Sequence, residues 1–146
     1  MYKTYRVLGH TADVSLEIYG RTIENLFINS VKGLFHIILP NVNAAKSSIP
    51  AKHRRKFSKI ILNAATNEEL LVQWLNEFIY IFFTKKLWPI YVRIDLLKAG
   101  KIASKVIFDK IKDKSYINKE VKAATYHNIK IVKSRYKLKT KVIFDV

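Results

Sequence analysis

The chain has 146 residues, 49% of them hydrophobic and 12% aromatic, which is enough to bury one sizeable core and excludes a disordered or low-complexity chain. It contains no cysteine, so disulfides, thiolate metal sites and cysteine nucleophiles are excluded and stability must come from packing. With 27 basic against 11 acidic residues the net charge is +16, which favours a nucleic acid or an acidic protein as partner without choosing between them; a lysine-rich composition on solvated faces accounts for it equally well.

Met1 to Leu8 is polar and charged, and no stretch approaches the roughly 20 apolar residues of a membrane helix, so the expectation is a soluble cytoplasmic protein, a single domain over 1–146. Ala12, Val14, Leu16 and Ile18 alternate with Asp13, Ser15, Glu17 and Tyr19, the period of a half-buried strand, which sets Asp13 on its polar face. Gly20 ends that strand. Thr22 is placed to cap a helix whose apolar positions run from Leu26 to Ile38, ahead of Pro40. A polar loop follows, and Lys52 to Ala65 reads as β-like, beginning with the basic run Lys52 to Lys56.

Thr66 and Glu69 form a capping-box pair opening a second helix, with Leu70, Leu71, Trp74, Leu75, Phe78, Ile81 and Phe82 inward and Pro89 barring continuation. Ile90 to Leu96 and Ile102 to Phe108 flank Gly100 as a hairpin. Tyr126 to Val132 and Tyr136 to Val146 read as a last strand pair, with Leu138, Val142 and Phe144 on one face and Lys137, Lys139, Lys141 and Asp145 on the other. The sum is an α+β two-layer sandwich, a mostly antiparallel sheet carrying both long helices on one face.

No phosphate-binding glycine loop, zinc-protease motif or serine-hydrolase elbow is present. The histidines, His10, His36, His53 and His127, are too widely spaced to read as a zinc site. Asp13 and Asp145 lie on strands that can be neighbours, where the terminal carboxylate of Val146 would complete an oxygen donor set for a hard cation such as Ca²⁺ or Mg²⁺. Exposed aspartates paired with lysines fit the same spacing. Glu120 to His127 gathers a cation, two hydroxyls and an imidazole, suited to a phosphate, to a partner's acidic groups or to hydrogen bonding at a strand entry. The run Lys52 to Lys56 has no interleaved aromatic, so it lacks the stacking residues of a single-strand RNA platform.

Taken in order, H-T-A-D-V at His10 to Val14, L-L-V-Q-W-L-N-E at Leu70 to Glu77, E-V-K-A-A-T-Y-H at Glu120 to His127 and V-I-F-D-V at Val142 to Val146 resemble the archease family over essentially the whole chain. The resemblance implies a non-catalytic accessory protein that activates an RtcB-type tRNA-splicing RNA ligase by promoting its guanylylation and multiple turnover. It also implies a divalent metal, calcium or magnesium, held by Asp13, Asp145 and Val146, with Lys122 and His127 matching polar positions assigned to partner contact. Ser15, Ser115 and Asn118 depart from the family's usual Gly, His and Gly. The alternative expectation, from charge, is a basic RNA-binding protein or a modulator of a tRNA-modifying enzyme; a metal-dependent hydrolase using Asp13 and Asp145 ranks behind both, lacking a general base or oxyanion donors.

Overall fold

A computed structural model describes residues 4–9, 13–41 and 56–146. The elements are β1 (Tyr5–Gly9), β2 (Asp13–Gly20), α1 (Ile23–Ile38), β3 (Phe57–Asn63), α2 (Asn67–Lys85), β4 (Leu87–Lys98), β5 (Lys101–Lys110), a 3-10 turn at Lys114–Tyr116, β6 (Ala123–Ala124), β7 (Val132–Ser134) and β8 (Lys137–Asp145). The class is α+β. The strands, however, divide between two antiparallel sheets rather than forming one: a five-stranded sheet in the order β1-β2-β8-β6, with β7 also on β8, and a three-stranded sheet in the order β3-β5-β4.

Both helices begin where their caps predict. Thr22 accepts a hydrogen bond from the Asn25 N–H (3.1 Å), and Thr66 accepts one from the Glu69 N–H (3.1 Å). Glu69 returns its bond to the Ala65 N–H (3.2 Å), one residue before the cap. The second helix ends at Lys86, whose left-handed backbone (φ 58°) turns its N–H onto the Phe82 carbonyl, and not at Pro89. Pro89 instead lies in β4, an outer strand of its sheet, where the missing N–H coincides with a shift in register between Pro89 and Tyr91.

α1 packs on β1, β2 and β8 and also against β4, while α2 packs on β3, β4 and β6. One core therefore joins both sheets, with Leu16, Phe27, Trp74, Phe78, Val106 and Phe144 all buried in it. Each such side chain contributes about 1.5–3 kcal/mol over its exposed state. The Trp74 indole N–H donates to the Phe27 carbonyl (3.0 Å), tying α2 to the middle of α1 without leaving a buried donor unmet. Gly20 is required where β2 hands over to α1: a Cβ there would lie 2.4 Å from the Leu26 nitrogen.

Three further expectations are corrected. β1 is a strand that the polar reading of Met1 to Leu8 did not anticipate; it pairs with β2 from Tyr5 opposite Ile18 to Gly9 opposite Val14. Of Tyr126 to Val132, Val132 alone is strand, since His127 and Asn128 form a turn in which Asn128 has φ 52°. The polar face of β2 is not open either: Ser15 and Glu17 are each 6% exposed. Glu17 is covered by Arg6, by the Tyr19 hydroxyl (2.9 Å) and by Lys139 (3.4 Å), and these partners, Arg6 foremost, lower its pKa to about 2. Among the described residues no helix is long and apolar enough to cross a membrane.

Candidate functional site: an acidic tip between two strands

β2 and β8 run antiparallel in a register that sets Asp13 directly opposite Asp145. Their neighbours Val14 and Phe144 point into the core, so both aspartates take the outward face; Asp13 is half-buried and Asp145 exposed. Directly opposed residues of an antiparallel pair have Cβ atoms about 4.5–5.5 Å apart, and like charges so placed repel. In a chain with so few acids, this pair is an unfavourable arrangement that a bound cation would relieve. The donors are hard oxygens, which suits Ca²⁺ or Mg²⁺ rather than a soft metal.

β6 lies on the other side of β8, where Ala123 is opposite Asp145 and Ala124 is opposite Phe144. The Lys122 N–H donates to the Asp145 carbonyl (2.8 Å), and the Thr125 N–H and hydroxyl both donate to the Ile143 carbonyl (2.9 Å each). Thr125 thus makes a structural hydrogen bond, but just after β6 rather than at the entry of a strand, whereas Tyr126 is 54% exposed. The remaining backbone groups of Ala124 are met by a side chain. The Asn76 carbonyl oxygen accepts from the Ala124 N–H (2.7 Å) and the Asn76 amide donates to the Ala124 carbonyl (3.1 Å). Asn76 serves β6 as a neighbouring strand would, from the inner face of α2.

All four sequence motifs are accounted for by this arrangement. The first and last supply the aspartates, the third supplies β6, and the second supplies the asparagine that fixes β6 in place. The role of Asn76 was not read from the sequence; its signal was an amide on a helix flank otherwise given to Leu75, Phe78 and Ile79. Val146 follows Asp145 directly and packs its side chain against the core.

Other candidates fall elsewhere. Lys122 is exposed beside the tip, while His127 is exposed on the following turn, its Nε2 3.3 Å from the Asn128 amide. His36 is exposed and its Nδ1 pairs with the Tyr5 hydroxyl (3.1 Å). Asn118 closes the end of α1, donating from its backbone to the Ile38 carbonyl (2.8 Å), and Ser115 lies exposed in the 3-10 turn. His10, His53 and the basic run except Lys56 lie outside the described residues. Among the described residues no group of three or more His, Cys, Asp or Glu side chains converges on one point, and the two aspartates at the tip are brought together by strand register alone.

Comparison with known proteins gives a consistent result. Residues 5–146 match the Archease protein family (MTH1598/TM1083). The protein archease of Methanosarcina barkeri is 28% identical over 149 aligned positions, covering 99% of this chain and 97% of the relative, and that of Pyrobaculum neutrophilum is 30% identical over 133, covering 87% and 84%. In fold the chain is similar to the solution structure of Methanobacterium thermoautotrophicum protein 1598, with a TM-score of 0.73 at 22% identity over 98% of this chain and 99% of that one. It is also similar to the crystal structure of an archease from Thermotoga maritima described as a possible chaperone, with a TM-score of 0.65 at 23% identity over the full length of both. The family match over residues 5–146, nearly the whole chain, makes this chain a member of the archease family.

Proposed function

We propose that this archease is a non-catalytic cytoplasmic activator of an RtcB-type RNA ligase in tRNA splicing, raising the ligase's guanylylation and its number of turnovers. The observation that carries the reading is the register of Asp13 against Asp145, with Ala123 and Ala124 of the Glu120 to His127 motif paired to β8 beside it. In this reading Asp13, Asp145 and the main-chain oxygens of Val146 hold a divalent cation, Ca²⁺ or Mg²⁺. Calcium takes 6–8 oxygen ligands, more than the tip provides, so the remaining positions belong to water or to groups of a partner. Such a cation would offer those open positions to nucleotide phosphates in the ligase. The chain's own residues orient and bind: the two strands set the carboxylates, Asn76 holds β6, and Lys122 and His127 present a cation and an imidazole to the partner's surface.

The test is ligation of tRNA halves by the cognate ligase under single-turnover and multiple-turnover conditions. Wild-type protein is expected to raise both rates, and Asp13→Ala to raise neither while retaining its fold by circular dichroism. Equal rates with no protein, wild type and Asp13→Ala would reject the proposal.

A further inference from the structure

The outward face of the three-stranded sheet carries a second set of side chains that the tip does not use. β3 pairs with β5 and β5 with β4, and the register lines their outward residues into rows across the sheet. One row is Phe57, Ile107 and Tyr91; the next is Lys59, Lys105 and Arg93. The inward residues of the same strands, Ile60, Ile102 and Val106, are buried, so both rows face away from the core.

Two features of this face are costly for a surface with no partner. Phe57 and Tyr91 are 45% and 48% exposed, their rings tilted edge to face with centroids 6.2 Å apart. Beside them three cations sit in directly opposed positions, and like charges so placed on adjacent strands are destabilising. Asp95 offsets one of the three: its carboxylate accepts from the Arg93 Nε (2.9 Å), while the Arg93 guanidinium also lies 5.4 Å from the centre of the Phe57 ring. Neighbouring strands are about 4.8 Å apart, so the cation row spans roughly 10 Å, and it lies about 7 Å along the strands from the ring row.

We infer that this sheet face binds single-stranded nucleic acid, with bases stacked on Phe57 and Tyr91 and the phosphate backbone tracking Lys59, Lys105 and Arg93. Exposed rings beside a line of cations supply the two interactions such a strand needs, a stacking surface and charge neutralisation. A duplex, with its bases closed, offers nothing to the rings. An acidic protein would use the cations and leave the aromatic faces without a specific role. The basic run ending at Lys56 looked unsuited to stacking because no ring interrupts it; folding places Tyr91 near Phe57, the residue that follows the run. This inference does not depend on the ligase reading, because its assay contains no ligase and no divalent metal.

The experiment is fluorescence anisotropy with a labelled oligouridine of about twelve nucleotides, within the site sizes of single-strand platforms, and with its deoxy counterpart, across a range of salt. Phe57→Ala and Tyr91→Ala are each expected to weaken binding by roughly five- to a hundredfold, with Tyr91→Phe close to wild type. Phe57→Leu, which keeps apolar contact but not the ring, should weaken binding similarly and guards against misfolding of the alanine variant. Lys59→Gln combined with Lys105→Gln should flatten the log–log salt slope by about 1.4, and the charge-matched pair Lys112→Gln with Lys114→Gln, on exposed positions outside the sheet, should not. Binding indifferent to both rings, an equal change of slope in the control pair, or no binding to either oligonucleotide at low salt would overturn the inference, the last pointing to an acidic protein instead.

Discussion

Replacing Asn76 with alanine removes both hydrogen bonds that the α2 side chain makes to Ala124, at 2.7 and 3.1 Å. Ala124 is only 4% exposed, so its N–H and carbonyl would lose their partners with little water to replace them. Each unmet buried group costs about 1–3 kcal/mol, and partial access of water to the vacated space brings the pair to about 2–4 kcal/mol. At about 2–4 °C per kcal/mol for a chain of this size, Tm should fall by about 4–16 °C, read by calorimetry alongside urea unfolding. Native-state hydrogen exchange should localise the loss: the Lys122 N–H, which donates to the Asp145 carbonyl, exchanges faster once β6 is loose. Asn76→Asp keeps the shape and the acceptor but turns a second carboxylate oxygen toward the Ala124 carbonyl. It should be no more stable than alanine at neutral pH and improve as acid protonates it and restores a donor. Unfolding of Asn76→Ala within about 0.5 kcal/mol of wild type, the range of an inconsequential surface change, would refute the view that this amide stands in for a strand.

The Glu17 carboxyl, held at about 2 against an ordinary 4.5 chiefly by Arg6, contributes stability that is complete above pH 4.5 and fades as pH falls toward 2. Urea midpoints across that window should slope downward for wild type and less steeply for Glu17→Gln; parallel curves would show that the cluster does not favour the charged carboxylate. Calcium or magnesium should raise the Tm of wild type, by the equivalent of about 2.7 kcal/mol at a hundredfold excess over Kd, and leave Asp13→Asn with Asp145→Asn unmoved. Without metal that double variant should be at least as stable as wild type, because a pair of opposed charges has gone. An equal metal response in both would place the cation elsewhere.

The local features were legible because their causes are local. Thr22 and Thr66 mark helix starts through hydrogen bonds to residues three positions on, and Gly100, with φ 75°, joins β4 to β5 within two residues of turn. What escaped the sequence is non-local pairing. β1 shows mostly exposed residues and no clear alternation, and it is a strand because β2 offers it an edge. Glu17 follows the polar beat of β2, yet cross-strand partners from β1 and β8 cover it. The division into two sheets depends on which strands meet, and alternation within each strand carries no such information. For the tip, the sequence supplied the acids and their outward direction, and the register supplied their opposition. Asn76 and Tyr91 matter through contacts with Ala124 and Phe57, which no spacing within their own elements could announce.

The position of β8 has a consequence for biogenesis. Residues 137–145 are synthesised after every strand they join, yet they lie between β2 on one side and β6 and β7 on the other. On the ribosome both helices and the Gly100 hairpin can form early, while one edge of β2 keeps its backbone N–H and C=O groups unpaired until residues 137–145 clear the exit tunnel. A nascent chain stalled before residue 137 would retain most of the core residues and none of the closing strand, a species prone to pairing with its own copies. The five-stranded sheet and its paired aspartates therefore arise together, in one step that follows the synthesis of every strand β8 joins.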